Sequence, residues 1–455
     1  MVDIHQDLQD VLQYSNLDQR KKIKEFFQAP PHFDREKPTI VFSTPSETGT
    51  SYFRIFEPLR AMYKKFGDDV NIFYTENLQP NHMNIGDAVV MHRCGNLHSH
   101  FLSVSRLWPK TEVKPLVIHD VDDNEFNLPA THPMKQLWEE AGKHKMSIHS
   151  LKHSDLVTTT TEKLYKTFRN FNKNVKIFRN SFDWDLPQWN LDKEEVRREL
   201  LPEWSSTEDK IIIGWAGLTS HFQDIKRMAP MIKAIHDKYP NTYFVLAGMA
   251  LKDTQVEATV NSEGKKEYKE VATNADETYR AKVEALFEGV NPNRIKLLDA
   301  LPLEEYAKFY TLFDISLAYV EHNAFNSCKS EIKVVESLRY GCIPVFSEFG
   351  GYKEMWNNKE IPSSLKDKNF SIYSTSPRRW IEAISYWVEN IEEGKNKANE
   401  LKEYTDSIYN INNNVEDYYY YLLEEIERNK EEQINLNAKY IDINSFICFL
   451  STETG

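Results

Sequence analysis

Along the chain, short apolar runs alternate with longer stretches in which apolar residues recur at helical spacing. Thr39-Ile-Val-Phe-Ser, Val70-Asn-Ile-Phe-Tyr, Ala88-Val-Val-Met, Leu116-Val-Ile, Asp155-Leu-Val-Thr-Thr and Val175-Lys-Ile-Phe read as buried strands. Tyr52 to Phe66 and Glu162 to Phe168 read as helices between them. The pattern then restarts. Lys210-Ile-Ile-Ile-Gly-Trp, Tyr243-Phe-Val-Leu-Ala-Gly, Ile295-Lys-Leu-Leu, Ile315-Ser-Leu-Ala and Ile343-Pro-Val-Phe form a second set of strands, with a helix from roughly Asp224 to Tyr239. Near-continuous apolar strands separated by helices mean βα units and parallel sheets covered on both faces. The expected class is α/β, with two Rossmann-like domains facing each other across a cleft.

The repeat of this pattern sets the domain boundaries. Residues 1–37 read as an N-terminal extension, with a short charged helix from Asp18 to Phe27 that Pro30-Pro31 ends. Residues 38–190 and 191–375 are the two Rossmann-like domains. Residues 376–430 are charged helices able to pack back on the first domain, and 431–455 are a tail. The glutamate-rich stretch 252–292 reads as an insertion or a surface helix.

Composition narrows the class. The 455 residues are 40% hydrophobic, enough for large cores, which excludes wholesale disorder. A net charge of −13 argues against a protein that coats nucleic acid generically. Basic strips such as Lys21-Lys-Ile-Lys24, and Lys163 and Lys166 with Arg169, leave room for a local phosphate contact. Cys94, Cys328, Cys342 and Cys448 form no C-x-x-C pair, against a disulfide scaffold or zinc module. No secretory signal and no membrane-spanning window is visible, so the expected location is cytoplasmic, the host cytoplasm if the chain is viral.

In open parallel sheets, ligands bind beyond the carboxyl ends of strands. The loops after strands therefore carry the candidate chemistry. Lys329-Ser-Glu-Ile-Lys333-Val-Val-Glu336-Ser-Leu-Arg-Tyr340-Gly-Cys-Ile-Pro344 reads as loop, short helix, glycine stop and strand. Lys333, Glu336 and Tyr340 share one helical face. The helix start near Ser330 and Glu331 offers free N–H groups and the positive dipole end, a place for a diphosphate. A glutamate one turn in can accept from both hydroxyls of a ribose. Spacing alone leaves a solvated surface helix equally open.

This stretch resembles the signature of the GT-B glycosyltransferases of family 4, in which a helix bearing a glutamate precedes a small-Gly-x-Pro-Val strand. The resemblance covers roughly residues 38–375. It implies a retaining hexosyl- or pentosyltransferase that uses a nucleotide-sugar, in the first instance a UDP-sugar. The first domain would take the acceptor and the second the donor, with Glu336 on the donor ribose. Gly350-Gly351 and Glu354 match the family's turn after the strand. The family's other glutamate, eight positions before Glu336, is Cys328 here. Glu331, in the same loop, is carried as a catalytic candidate together with His119, which matches a strand-end histidine touching the transferred sugar. Gly214-Trp-Ala-Gly217-Leu-Thr-Ser220-His221-Phe-Gln-Asp224 resembles the donor-phosphate loop of one branch. Gly217, Ser220, His221 and Lys226 thus join Ser330, Lys333 and Glu336 as donor-binding candidates. Gly49-Thr-Ser-Tyr-Phe-Arg54 resembles the same branch, and Gly49, Thr50, Arg54, His92 and Arg93 form a candidate acceptor or sugar loop.

Other readings stay open. Asp120-Val-Asp122 spells D-x-D, which holds a divalent metal in the other large glycosyltransferase fold. His92, Cys94, His98 and His100 suit zinc, although no second ligand pair has a characteristic spacing. The resemblance implies neither metal nor bound cofactor, because a helix dipole and cationic side chains can stabilise a departing diphosphate. The acceptor hydroxyl would belong to a glycan or glycoconjugate, or to a hydroxymethylated base in viral DNA. A nucleotide-sugar epimerase and a non-catalytic binding scaffold share the architecture. Walker, HExxH, GxSxG and GxGxxG patterns are absent, which removes the common nucleotidase, protease, esterase and dinucleotide readings. Oligomeric state is not legible.

Overall fold

The computed structural model describes residues 25–28, 33–45, 48–78, 82–93, 113–132, 135–204, 209–249, 254–260, 266–272 and 278–453. In the first domain, β1 (Thr39–Ser43), β2 (Asn71–Thr75), β3 (Ala88–His92), β4 (Leu116–Asp120), β5 (Leu156–Thr159) and β6 (Val175–Ile177) form one sheet in the order β2-β1-β3-β4-β5-β6. Every pairing is parallel. Alternate residues of the central strands serve the two faces. Ile40, Phe42, Val90 and Ile118 join the main core, whereas Val41, Val89, Met91 and Val117 make a smaller cluster on the other side. The helix expected over 52–66 comes in two pieces. Tyr52–Phe56 is wound as a π-turn with all its residues buried, and α1 (Glu57–Phe66) continues it. Such wide turns recur at functional sites. The helix α2 (Glu162–Phe168) matches its sequence boundaries.

The second domain holds β7 (Ile211–Ala216), α3 (Phe222–Lys238), β8 (Thr242–Met249), β9 (Thr254–Val260), β10 (Lys266–Ala272), β11 (Ile295–Asp299), β12 (Ile315–Ala318), α4 (Ile332–Arg339), β13 (Ile343–Ser347), α5 (Gly350–Trp356) and β14 (Ser371–Ile372). Its main sheet runs β11-β8-β7-β12-β13-β14, all parallel. The strand order reverses between β7 and β12, the switch point where ligands of such sheets bind. The surface-helix reading of 252–292 is overturned in part. β9 and β10 pair as an antiparallel hairpin, and Tyr279–Leu286 is the α-helix among the described residues of that stretch. Thr254-Gln-Val-Glu-Ala-Thr-Val has a two-residue alternation that high charge masked.

Helices α6 (Pro377–Glu389), α7 (Ile391–Ile408) and α8 (Ile411–Glu453) follow. Helix α8 lies against the first domain: Tyr419 stacks on Phe66 with ring centroids 4.0 Å apart, and the Asn429 side chain donates to the Lys114 carbonyl at 3.0 Å. No proline or glycine occurs between Ile411 and Glu453, so helix α8 runs past 430 without the break expected before a tail. The chain crosses between domains twice, side by side. The Phe182 N–H donates to the Tyr409 carbonyl, and the Ile411 N–H to the Phe182 carbonyl, both at 2.8 Å. Phe182, Trp184 and Trp189 pack ring on ring at this junction. Among the described residues, no helix is long and apolar enough to cross a membrane.

Candidate active site

At the carboxyl end of β7 the chain needs glycine. A Cβ on Gly217 would lie 2.6 Å from the Trp215 ring and 2.8 Å from Lys333 Nζ. The vacancy lets the Lys333 ammonium sit over the Trp215 ring, 4.8 Å from its centroid. Gly214, in the same motif, has a different reason: a Cβ there would run into Phe313 at 1.9 Å. After Gly217 a tight turn, Thr219–His221, opens α3. His221 does not cap that helix. Its Nδ1 lies 2.8 Å from Asp224 Oδ2, and Asp224 Oδ1 accepts the Glu321 N–H at 2.8 Å. Asp224 thus ties the loop after β7 to the loop after β12 and leaves Nε2 as the other face of the ring. Burial pushes His221 down to about 4, with Lys333 adding to the effect. Ser220 lies exposed on the rim, and Lys226 points to solvent on α3.

Helix α4 carries the other half of the site. Its inward face presents Lys333 and Glu336, as their spacing requires. Among the described residues, Lys333 makes no ion pair, and burial pulls it down to about 8 against the pull of Asp224 and Glu336. Glu336 is only 3% exposed. Its Oε1 accepts from the Tyr306 hydroxyl at 2.5 Å and its Oε2 from the Tyr310 hydroxyl at 2.6 Å. Burial pushes the carboxyl up to about 7, against those hydrogen bonds and Lys333. The result is a partly buried cation without an ion-pair partner among the described residues, beside a buried carboxylate held by neutral donors.

The start of α4 belongs to the domain junction. Glu331 Oε1 accepts from the Tyr409 hydroxyl at 2.6 Å and lies 3.6 Å from Arg179. Ser330 Oγ accepts from Asn180 Nδ2 at 3.2 Å. Glu354 caps α2 of the other domain, taking the Glu162 and Lys163 N–H groups at 3.0 and 3.2 Å, and pairs with Arg179 at 3.3 Å. Cys328, where the family has a glutamate, is fully buried with Val121, Leu151, Val157, Leu164 and Phe168 of the first domain. It anchors the loop in the opposite core.

In the first domain, His92, Arg93 and His119 gather at the ends of β3 and β4. His119 is fully buried and neutral; burial, with His92 nearby, pushes it down to about 3. His92 lies 3.3 Å from Thr44 Oγ1 and 3.4 Å from Asp122. Arg93, at φ +60°, reaches Asp122 at 3.1 Å and Asp123 at 3.0 Å. Lys329 crosses from the second domain to Asp123 at 2.8 Å. Arg54 is displaced from the acceptor role. Its guanidinium grips Asp120 at 2.9 and 2.6 Å and donates to the Phe178 carbonyl at 2.5 Å, so it clamps the π-turn to β4. Thr158 also donates to Asp120 at 2.6 Å. Both carboxylates of the D-x-D run are therefore committed to cations of the protein. Gly49 and Thr50 open the first turn, capped by Thr48; among the described residues, a Cβ on Gly49 would meet nothing within 4 Å. Cys94, His98 and His100 lie outside the described residues.

Between the domains a cavity is lined by His221, Ser220, Asn323 and Lys329 on one side and by Thr131 and His132 on the other. Gly217, His221, Lys333 and Glu336 lie near one another, whereas Lys226 points away on α3, Glu331 lies at the domain junction, and Arg54, a candidate of the acceptor or sugar loop, is held by Asp120 in the first domain. Sequence reasoning missed Asp224's anchoring role, the Tyr306 and Tyr310 hydroxyls, and His132. The i,i+4 spacing of the two tyrosines was the only signal available.

No family model matches the chain, and no curated protein matches it. Solved structures do. HepE of Anabaena, in complex with UDP and glucose, superposes with a TM-score of 0.56 at 11% identity, over 85% of this chain and 100% of that one. Sucrose-phosphate synthase from Thermosynechococcus elongatus gives 0.58 at 11% identity, over 85% and 100%. An α,α-trehalose-phosphate synthase (UDP-forming) from Burkholderia vietnamiensis gives 0.53 at 8% identity, over 87% and 98%. The two parallel six-stranded sheets with their helices are the GT-B fold.

Proposed function

We propose that the chain is a glycosyltransferase that moves a sugar from a UDP-sugar to an acceptor hydroxyl, with retention of anomeric configuration as in family 4. The observation that carries this reading is Lys333: a partly buried ammonium without an ion-pair partner among the described residues, over Trp215, beside His221 and one helical turn from Glu336. A diphosphate supplies the missing charge, and Glu336 lies where a ribose would follow. Solved structures of the same fold that hold UDP, or that are described as UDP-forming, support that donor.

In this reading the diphosphate leaves into the field of Lys333, whose charge is already in place and stabilises developing negative charge without reorganising. His221 enters neutral and, once the phosphate arrives, can take a proton on Nε2 while Asp224 holds Nδ1. No step needs a metal in this scheme, and the engaged Asp120 and Asp122 support that. The acceptor is a hydroxyl on a glycan or on a hydroxymethylated base of DNA, presented from the first domain.

The test is mass spectrometry of products from a panel of nucleotide sugars, offered with hydroxymethylated DNA and with simple glycans. A mass gain of one sugar on an acceptor, with UDP released, is expected. Donor isomerised without any acceptor would make the protein an epimerase instead. No turnover with any pair would leave a binding scaffold.

A further inference from the structure

The two tyrosines on Glu336 have no place in the donor scheme so far. Tyr306 and Tyr310 lie one helical turn apart, and each gives its hydroxyl to a different oxygen of the same carboxylate, at 2.5 and 2.6 Å. We propose that Tyr306 and Tyr310 are positioning residues of the donor site: their hydroxyls orient the Glu336 carboxylate toward the vicinal hydroxyls of the ribose and keep it ionised. This rests on the donor reading above.

The geometry argues as follows. A carboxylate has about four lone-pair sites, so two phenols leave room for two ribose hydroxyls. A buried carboxylate without donors takes up a proton, and a protonated acid no longer offers both oxygens as acceptors. A cation would hold it ionised but would also neutralise it and compete for the same lone pairs. Phenols avoid that, since they donate a hydrogen bond without bringing a charge.

The surroundings bear this out. Among the described residues, the groups facing Glu336 are Lys333 on its own helix, Tyr306 and Tyr310 from the preceding segment, and Tyr352 from α5. Lys333 is the cation of this described set, and it sits over Trp215 rather than on Glu336. Burial pushes both clamping phenols well above the ordinary tyrosine range, with the Glu336 charge adding to it, so they stay protonated donors at any working pH. Tyr306 is itself held: Trp189 of the domain crossover packs edge-on to it, with centroids 5.9 Å apart.

The experiment is calorimetric titration of the full chain with UDP and with 2′,3′-dideoxyuridine diphosphate across a pH series, for wild type, Tyr306→Phe, Tyr310→Phe and Glu336→Gln. Each phenylalanine variant is expected to weaken UDP by about tenfold, the worth of a hydrogen bond to a charged group. Each should bind the dideoxy ligand within about twofold of wild type, which also shows that the site is folded. The acid-side midpoint of UDP binding should move up in pH, because Glu336 loses a hydrogen bond that favours its charged form. Equal losses for both ligands, or an unmoved midpoint, would reduce the tyrosines to packing and overturn the clamp. UDP binding that depends on Glu336 but ignores both phenols overturns the clamp alone. Absence of UDP binding, or a Glu336→Gln variant that binds like wild type, overturns the donor reading and the clamp with it.

Discussion

At the residue scale, burial moves two side chains of the candidate site toward each other, a carboxyl upward and an ammonium downward. Glu336 is pushed up to about 7 and Lys333 pulled down to about 8. In the proposed reading, donor binding needs the first ionised and the second charged. UDP affinity measured against pH should therefore peak between those values, falling on the acid side as Glu336 gains a proton and on the alkaline side as Lys333 loses one. Lys333→Ala should remove the alkaline limb and weaken UDP by about ten- to a hundredfold, as loss of a charge-assisted contact does. The same shifts work against stability. Between about 8 and its ordinary value of 10.5, Lys333 binds its proton more in the unfolded chain, so its contribution to stability rises with pH there. Between 4.5 and about 7, Glu336 binds its proton more in the folded chain, so its contribution falls as pH rises. Near neutrality both cost stability, so Lys333→Met should raise the melting temperature while weakening UDP. The pairing of Lys333 with Glu336 was legible because three residues along a helix fix a common face. Tyr306 and Tyr310 were not, because nothing local says which carboxylate, 26 or 30 residues further on, will meet their hydroxyls.

Motif glycines and arginines separate by role only once their surroundings are known, and that is a matter of elements. Gly214 and Gly217 look alike in Gly-x-x-Gly, yet one faces the Phe313 ring inside the sheet and the other both the Trp215 ring and the Lys333 ammonium at its edge. Gly214→Ala should lower stability by ~1–3 kcal/mol through overpacking, read from chemical denaturation. Gly217→Ala should lower that midpoint too, through the buried Trp215 ring, and should in addition weaken UDP binding by displacing the Lys333 ammonium. Arg54 was read as a sugar contact from its place in a loop motif. Its partner Asp120 is 66 residues away, and no local pattern announces it. Arg54→Ala should cost ~3–5 kcal/mol by stranding the fully buried Asp120. The strands themselves were readable because central parallel strands are apolar throughout. The two-residue β14 and the charged β9–β10 hairpin lack that signature, and both escaped it.

At the scale of the whole molecule, the halves are clasped by contacts that sequence motifs had suggested for other work. Lys329 reaches Asp123, Glu354 caps α2, and Cys328 sits in the core of the opposite domain. The Gly-Gly-x-x-Glu turn thus closes the cleft in this chain, a role no single-domain pattern can reveal. Glu354→Ala should loosen the clasp. Small-angle scattering should show a larger radius of gyration, and transfer should slow more than UDP binding weakens, because the proposed donor groups lie in the second domain. The account stands most directly on that donor site, and calorimetry of UDP with the full chain in excess chelator near neutral pH tests it. Binding at one site, weakened about tenfold or more by either Lys333→Ala or Glu336→Ala, is the predicted result. UDP that fails to bind, that binds only when metal is restored, or that binds both variants as it binds wild type would contradict it.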